Sequence, residues 1–568
     1  YSTVTDCYLN FGGGSVIAGG GGVFGVSENK GQAILNVDKN SFDVANLRAQ
    51  SLVTGINDNV LAKNHGQTIN IAVGIGASKN KLETTIDTAA QTSLSDNSFA
   101  VSNTVVNGNI IAYKEVEKLD AEGKTYTAYE PVYEQLEQNT AKTALEILAE
   151  TNAKADSDIS CVNAGGVLAV GHNDGVVTIN ESTDASLTGK QNEDTLLKSL
   201  SLKTKGTNDV YNKVYGGGGG ILSISPYAAT AENVLTVTND VTLKGKFKVQ
   251  EAAAIEALQS DIIEIQADTE RGGALLDVAG GSVKNTRNAN SHTIVTLSEA
   301  ELEADSASIV AQNNMDLNKE FRYGMKGGSG AGIIAAASPT TFTNSITELA
   351  GVEIGNSRVA TANNLHIQAA TENNIFALSL FENGSILVGV NQATVNNTLS
   401  YTNQVNMDAA SKLTTGAADS LLDINSVDNT LLNVGSYAHA YGALLTVASP
   451  ETNNTTKRNN YVNIAGSVNS ANDLAINAGQ YADASIAGLT AVIDVMTYSG
   501  GLIPARDRKL TNEIEQHNVV TISGSTTSIA DTDLYANEGA VNITVNNISS
   551  GSYSSDKNTK GYVSSDTA

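Results

Sequence analysis

Short stretches in which apolar and polar residues alternate recur along the chain. Three of them, 351–374, 461–484 and 519–542, align without gaps. Each contains an apolar strand, a corner with Gly or Ser, a small polar strand, a corner with Asn or Asp, and a third strand of the type L-x-I-x-A. Alternation places every second side chain of a strand on one face. We therefore predict that the Leu, Ile and Ala positions of the third strand form the core.

Glycine-rich segments, each followed by a short apolar strand, form a second repeated feature. One of them is "VYGGGGGILSISP", residues 214–226. It lacks the lysine of a phosphate-binding loop, and a flexible linker would not recur at a fixed period with a strand attached. We predict that the glycines mark a corner or a narrow part of the fold, where backbone passes close to backbone. The segments begin at Gly12, Gly74, Gly165, Gly216, Gly273, Gly327, Gly384, Gly442 and Gly488.

From Gly165 onward the period is about 54 residues, which is typical of a solenoid. Three short strands with tight corners predict a coil of roughly 20 to 27 residues, so that one period would be two coils of a parallel β-solenoid. At about 4.8 Å per coil, 18 to 25 coils would give a rod of about 90 to 120 Å. Stacked Asn side chains at the corners are predicted to form hydrogen-bonded ladders.

The segment 113–158 interrupts this rhythm and is rich in Glu, Lys and Ala. Leu136, Leu145 and Leu148 recur roughly at helical spacing, and Pro131 stands where a helix start tolerates it. We therefore predict an inserted helical arm. The predicted organisation is solenoid coils at 1–112, the helical arm at 113–158, further coils at 159–548 and a flexible polar tail at 549–568.

Composition narrows the functional classes. The net charge is −26 with only 34 Lys and Arg residues, so a nucleic acid is not expected as a partner. Aromatic residues make up 5% and Trp is absent, which favours a thin core of small side chains. The sequence contains no run of 18 apolar residues, so we predict no membrane-spanning helix. Because the chain starts without Met or a leader, we expect it to be a processed or excised piece of a larger protein.

Two basic segments are the candidate binding loops. Arg506, Asp507 and Arg508 form the densest basic cluster, and Lys457 and Arg458 occupy the equivalent place one repeat earlier. This repetition favours a series of structural loops over one catalytic site. We leave three interpretations open: a substrate groove, a binding patch or solvated loops.

Catalytic and cofactor signals are sparse. The six histidines are scattered singly, and no metal-binding or nucleophile motif accompanies them. Cys7 and Cys161 are too far apart for a metal motif. Asp531 and Asp533 suggest calcium only weakly, because no complete set of ligands follows them. We therefore predict no cofactor and no enzymatic activity.

Several repeat segments resemble a known family. "GSVNSANDLAINAGQYADA", "ATANNLHIQAAT" and "GSILVGVNQATVNNTLSYTN" are similar to the very large repetitive exoproteins of Gram-negative bacteria, the filamentous-haemagglutinin-like and leukotoxin-like adhesins. The resemblance implies a right-handed parallel β-helix that is secreted and acts at the cell surface as an adhesin or filament. The secretion domain of that family has no counterpart in this sequence.

Three functions follow as hypotheses. The first is a non-catalytic adhesin or structural rod, secreted or on the bacterial surface, which binds host or bacterial surface glycans or proteins. The second is the subunit of an extracellular filament that assembles with copies of itself. The third is a carbohydrate-active solenoid enzyme, which a groove of clustered carboxylates across adjacent coils would support.

Overall fold

The chain forms a stack of parallel strands. The computed structural model describes residues 5–15, 18–21, 24–53, 60–119, 123–190, 192–338, 340–479, 488–523, 534–546, 549–560 and 565–567. Among these residues, 29 strands belong to one sheet, two form an antiparallel hairpin, and two short strands pair with each other. The described residues contain no helix. The all-β class and the parallel β-solenoid predicted from the sequence are confirmed.

Eight strands form the turns before the hairpin, and two form the hairpin itself. The first eight are β1 (Thr5–Ser15), β2 (Ala18–Gly21), β3 (Phe24–Asp38), β4 (Ser41–Phe42), β5 (Asn46–Val53), β6 (Val60–Ala72), β7 (Ile75–Ser95) and β8 (Ser98–Phe99). The hairpin consists of β9 (Val101–Leu119) and β10 (Thr125–Ala141).

The remaining strands form the turns after the hairpin, and the longest of them continue around several corners. In the first part they are β11 (Ala144–Gly165), β12 (Leu168–Thr188), β13 (Thr195–Leu197), β14 (Ser199–Val249), β15 (Ala252–Arg287), β16 (His292–Ala304), β17 (Ser306–Leu317), β18 (Tyr323–Ala337), β19 (Thr340–Gly355), β20 (Arg358–Thr361) and β21 (Leu365–Met407). In the second part they are β22 (Lys412–Thr415), β23 (Leu421–Tyr441), β24 (Leu445–Ile464), β25 (Ser467–Ser470), β26 (Asp473–Gly479), β27 (Leu489–Gly500), β28 (Ile503–Asp507), β29 (Lys509–Ile522), β30 (Leu534–Ala536), β31 (Val541–Val545), β32 (Ser549–Lys560) and β33 (Ser565–Thr567).

One repeat is one turn of the solenoid. Leu200 pairs with Ala253, and Ala253 pairs with Ala307, so the chain returns to the same place after 53 and then 54 residues. The prediction of two coils per repeat is therefore wrong, because the three recognised strands cover only part of a turn. One column of stacked residues consists of Thr5, Ala62, Ala155, Val210, Ile263, Leu317, Ile375, Leu432, Ala491 and Gly551.

The stack is shorter and wider than the sequence suggested. Ten stacked strands at about 4.8 Å give a described length of about 45 Å, roughly half of the predicted rod. The core is built from apolar columns such as the one through Ile309, Ile367 and Ile424, all of which are buried. The L-x-I-x-A strands thus face the interior, as predicted. We call their side of the solenoid the inward wall.

Asparagine ladders lie inside the stack. Asn285, Asn344, Asn397 and Asn454 occupy one buried column, and each donates from Nδ2 to Oδ1 of the next over 2.7–2.9 Å. The ladder continues to Asn512 over 2.8 Å. The predicted ladders therefore exist, but these ones run within strands instead of at corners.

The predicted helical arm is wrong. Its first part belongs to the antiparallel hairpin β9–β10, in which Val101 pairs with Ala141 and Tyr113 with Pro131. Its last part belongs to β11, which pairs in parallel with β5, β6 and β14. Neighbouring turns therefore supply strand pairing to a sequence whose apolar spacing also fits a helix. The predicted polar tail also contains strands, since β32 pairs with β27 and β33 with β28.

The glycine-rich corners bring backbones into close contact, as predicted. A Cβ atom on Gly165 would lie 1.9 Å from the carbonyl oxygen of Leu168. A Cβ atom on Gly273 would lie 2.2 Å from the carbonyl oxygen of Leu276. Only glycine fits these positions, because no side-chain carbon tolerates such a contact.

In the strand after each glycine corner, small or polar residues point inward and aliphatic residues point outward, which is the opposite of the inward wall. We call these strands the inverted strands. In β14, Ser223 and Ser225 point into the solenoid and are fully buried. The alternate aliphatic side chains, those of Leu222 and Ile224, point outward. Small inward side chains allow the two walls to come close at this end, where Thr446 and Ser499 hydroxyls meet at 2.7 Å.

Candidate functional site

The first predicted binding loop is part of strand β24. Lys457 points outward and its Nζ lies 2.9 Å from a carboxylate oxygen of Glu515. Arg458 points inward and is 1% exposed. Its Nε donates to Oδ2 of Asp428 at 2.9 Å and to the hydroxyl of Tyr401 at 2.7 Å. The guanidinium is therefore part of the interior and is not available to a ligand in solvent.

The second predicted binding loop includes strand β28. Arg506 lies inside and its Nη2 donates to the carbonyl oxygen of Ser499 at 3.4 Å, whereas Asp507 is exposed. Arg508 is also buried. Lys457 and Arg458 therefore lie in a strand, as do Arg506 and Asp507, and these four residues are not in loops. Arg508 lies between β28 and β29. Of the five predicted residues, only Lys457 and Asp507 are on the outer surface.

A charged network lies inside the solenoid. Nη1 of Arg287 is 2.7 Å from Oδ2 of Asp261 and 2.9 Å from Oε1 of Glu348, and all three side chains are fully buried. Asn208 bridges Asp261 to Glu181 through hydrogen bonds of 2.8 and 2.6 Å. These residues come from β12, β14, β15 and β19, so the network links turns across the core.

Burial has a large effect on one member of this network. Burial in the interior and the nearby charge of Asp261 raise the pKa of Glu181 to about 7, although Thr151, Asn208 and Gln259 donate hydrogen bonds to it. Because the carboxyl group is fully enclosed, we assign it a structural role. No sequence signal pointed to Glu181, since the residue stands alone in a polar stretch.

An acidic groove of about 750 Å³ crosses several turns on the outer surface. We define the acidic groove by the carboxylates that line it together with Tyr211, Lys154, Lys319 and His65. Parallel pairing builds it, because Asp156 lies beside Tyr211 and Tyr211 beside Glu264. The carboxylate residues are Asp156, Asp158, Asp209, Glu264, Asp316 and Glu320.

Partial burial changes the pKa values of two carboxyl groups in the acidic groove. Desolvation raises the pKa of Asp158 and of Glu264 above the ordinary range. Two backbone N–H groups, of Glu320 and Phe321, donate to the carboxylate of Glu264 at 2.9 and 3.1 Å and hold it in place. The ring of Phe321 packs against Tyr211 at 5.3 Å. Such a surface offers hydrogen-bond acceptors and an aromatic face to a neutral or cationic ligand.

The hairpin β9–β10 projects from the solenoid. Among the described contacts it meets the stack near β13, and its two strands otherwise pair with each other. Lys118 and Glu130 form an ion pair of 2.7 Å across the strands, and Tyr129 donates to Glu115 at 2.9 Å. Its exposed apolar residues, among those described, are Val101, Ile110, Ile111, Tyr113, Leu119, Tyr129 and Val132.

The described residues contain neither a cluster of metal ligands nor a membrane-spanning helix. No three His, Cys, Asp or Glu side chains in this part of the chain come together as metal ligands. Asp531 and Asp533, the residues considered for calcium, lie outside the described residues. The described part has no helix with the length and apolarity required to cross a membrane. Cys161 is a buried free thiol, and the side chain of Cys7 lies outside the description.

Comparisons with known proteins give no relative. No family model, no curated protein and no solved structure matches this chain. The resemblance to filamentous-haemagglutinin-like exoproteins, and the handedness that it implies, stay predictions. The solenoid, the hairpin and the acidic groove are the features of this chain that bear on its function.

Proposed function

We propose that this chain is a non-catalytic attachment rod that acts outside a bacterial cell, secreted or on its surface. The hairpin β9–β10 is the observation that carries this proposal. A β10 strand of 17 residues spans about 55 Å, so the hairpin reaches well beyond the stack. The solenoid serves as the scaffold, because every turn hydrogen-bonds to the turns beside it.

The chemistry of the hairpin supports a protein partner or a glycan-bearing surface. Ile111 and Tyr113 are each 64% exposed, and exposed aromatic and aliphatic side chains are common anchors in protein interfaces. A two-stranded hairpin alone is only marginally stable in water. A partner that packs against these side chains would therefore stabilise the hairpin as it binds.

The test removes the hairpin and keeps the stack. A variant in which residues 104–138 are replaced by Asn-Gly should keep its parallel stack, because β11 pairs with β5, β6 and β14 without using the hairpin. Binding of the labelled protein to panels of bacterial cells, host cells and immobilised glycans is then measured. We expect at least about a tenfold loss of binding with an unchanged melting temperature.

Point variants give the matched control. Ile111→Ser with Tyr113→Ser should weaken binding, whereas Leu421→Ser with Leu431→Ser, on exposed positions of β23, should not. Equal binding by the hairpin variant and the unchanged protein would overturn the attachment role of the hairpin.

A carbohydrate-active enzyme is the second candidate, and the acidic groove favours it. Two carboxyl groups with different protonation are the usual machinery for glycoside hydrolysis, and burial raises the pKa of Asp158 in a groove that also contains Asp156. The carboxylates would repel a polyanion, so the substrate would be a neutral or amino-sugar polymer. Release of reducing ends that is abolished in Asp158→Asn, with Glu372→Gln as the exposed control, would favour this candidate over the attachment rod.

Filament formation is the third candidate. Each described turn pairs with the next through parallel strand edges, and β31 continues the core columns of Leu474 and Ile476 with Val541 and Ile543. The same pairing between copies would extend the stack. Sedimentation of long polymers, lost in Ile543→Lys and retained in Leu431→Lys, is the expected result for a filament subunit.

A further inference from the structure

The outward face of the inverted strands is continuously apolar. One column of stacked residues begins at Ile75, just after a glycine corner, and continues through the eight turns from β7 to β28. Every residue in this column is aliphatic. This column consists of Ile75, Leu168, Leu222, Leu276, Ile334, Val388, Leu445 and Ile503.

Two flanking columns have the same character. The residue before each member is Gly74, Val167, Ile221, Leu275, Ile333, Leu387, Leu444 or Leu502. The next outward residue, two positions after each member, is Ala77, Val170, Ile224, Val278, Ala336, Val390, Val447 or Ala505. We call these three columns the glycine-edge stripe. It holds no charged residue and, over eight turns, runs for about 35 Å.

The stripe is open to solvent in the described part of the chain. Its residues Val167, Ile221, Leu275, Leu387, Leu444 and Leu502 are between 42 and 51% exposed. Soluble monomers rarely expose apolar surface of this continuity, and larger patches of this kind usually mark interaction sites. The inward positions of the same strands are small or polar, such as Ser223 and Thr446, so the sequence places the aliphatic residues outside at every turn.

We propose that the glycine-edge stripe is the contact surface between two copies of this chain, packed side by side. Three positions on each of eight turns match the roughly 20 to 30 residues that a stable interface takes from each partner. A second copy carries the same spacing of about 4.8 Å between turns. Its side chains therefore meet those of the first copy in register along the whole stripe, as in the interdigitated faces of paired sheets.

Charge also favours a second copy over a lipid surface. Anionic membranes attract proteins through clusters of Lys and Arg, whereas this chain has a net charge of −26. Two positions beyond the stripe, the rim contains a single Lys and a single Asp. The rim residues are Lys79, His172, Pro226, Gly280, Ser338, Gln392, Ser449 and Asp507. A two-fold contact through the uncharged stripe keeps the acidic surfaces of both copies apart.

The experiment measures the mass of the full chain in solution. We expect a particle of twice 58.8 kDa by light scattering and, in negative-stain images, a pair of rods of unchanged length. Leu275→Lys with Leu444→Lys should dissociate the pair, with at least about a hundredfold increase in the dissociation constant, because each copy would bury two charges. Both side chains point outward, so the melting temperature of the isolated chain should not fall.

Leu421→Lys with Leu431→Lys is the matched control, because these β23 residues are similarly exposed at 39% and 40% but lie outside the stripe. This variant should stay dimeric. A wild-type chain that is monomeric at all concentrations overturns the proposal, as does a dimer that the stripe variant leaves intact. Flotation of monomers with uncharged phosphatidylcholine vesicles would assign the stripe to lipid instead, and particles of doubled length would assign self-association to the ends.

Discussion

Apolar and polar residues alternate both in the inward wall and in the strands after the glycine corners, but the apolar residues point inward in the first and outward in the second. In the inward wall, Leu365, Ile367 and Ala369 are fully buried and stack on their equivalents in the adjacent turns. In the inverted strands, the small or polar residues are buried and the aliphatic ones face outward, as Thr446 and Leu445 do. Alternation therefore identifies two faces of a strand, while the neighbouring wall decides which face is inside.

The difference follows from how close the walls approach. The inward wall faces a wide core that large aliphatic side chains fill. At the glycine corners the opposing backbones are too close for such side chains, so Ser, Thr, Ala and Gly fill the interior. The aliphatic residues that remain outside are then available for contact with another molecule.

The largest expected effect comes from the buried arginine of β24 and its exposed neighbour. Arg458→Met should reduce the free energy of unfolding by about 3–5 kcal/mol, because Asp428 would be left without its buried cation. Lys457→Met, one residue away on the outer face, should cost much less, because its ion pair with Glu515 is exposed to solvent. Urea unfolding followed by circular dichroism measures both. Equal losses in the two variants would contradict the assignment of inside and outside.

A second pair compares aliphatic residues of the two regions. Ile367→Ala should cost about 2–5 kcal/mol, because it leaves a cavity in the inward wall. Leu387→Ala, in the glycine-edge stripe, should change the stability of the monomer by less than about 0.5 kcal/mol. Thermal unfolding at concentrations that keep the chain monomeric gives both values. A loss at Leu387 as large as that at Ile367 would mean that the stripe belongs to the core.

The buried acid of the interior network predicts a pH dependence. The pKa of Glu181 is about 7 in the folded chain and 4.5 as the ordinary value, so the folded state binds more protons between these pH values. Stability should therefore fall as pH rises from about 4.5 to 7 and level off above, by about 3 kcal/mol in total.

Glu181→Gln should remove this contribution. The free energy of unfolding of the variant should therefore increase relative to that of the wild type as pH rises. Unfolding titrations in urea between about pH 5 and about pH 8 measure the difference. Glu372→Gln, which makes the same substitution at an exposed position, should leave the pH profile unchanged. A Glu181→Gln profile parallel to that of the wild type would contradict the raised pKa.

The smallest effect is expected at the asparagine ladder. Asn397→Ala should cost about 1–3 kcal/mol, because Asn344 and Asn454 each lose a buried hydrogen-bond partner. Asn396→Ala, at the preceding residue, removes a half-buried hydrogen bond from Asn453 and should reduce the free energy of unfolding by less. Hydrogen exchange of the backbone amides in the neighbouring turns should increase only in the Asn397 variant. Equal exchange in both variants would contradict the ladder as a link between turns.

Much of the fold could be predicted from the sequence. The period of about 54 residues and the L-x-I-x-A strands predicted parallel stacking, and Ile309, Ile367 and Ile424 do stack in one buried column. The number of coils could not be predicted in the same way. Segments between the recognised strands also pair with adjacent turns, and their polar ladders, such as that of Asn397, carry no apolar pattern.

The periodicity of apolar residues did not predict the hairpin or the orientation of the site residues. Leu145 and Leu148 fit a helical spacing, yet Leu145 pairs with Leu47 and Leu200 in adjacent turns, and this tertiary pairing determines the structure. Lys457 and Arg458 are adjacent in sequence and opposite in orientation. Only the strand assignment reveals that Arg458 belongs to the interior and that the acidic groove gathers residues from several turns.

The place of the hairpin in the stack has a consequence for engineering. The chain leaves the solenoid at Val101 and rejoins it at Ala144, where β11 pairs with β5 and the next turn follows in register. Because hydrogen bonds run between turns, this junction tolerates the detour from Val101 to Ala141 without loss of pairing in β11. Other hairpins or small domains grafted between Phe99 and Ala144 would be displayed on the same rigid base.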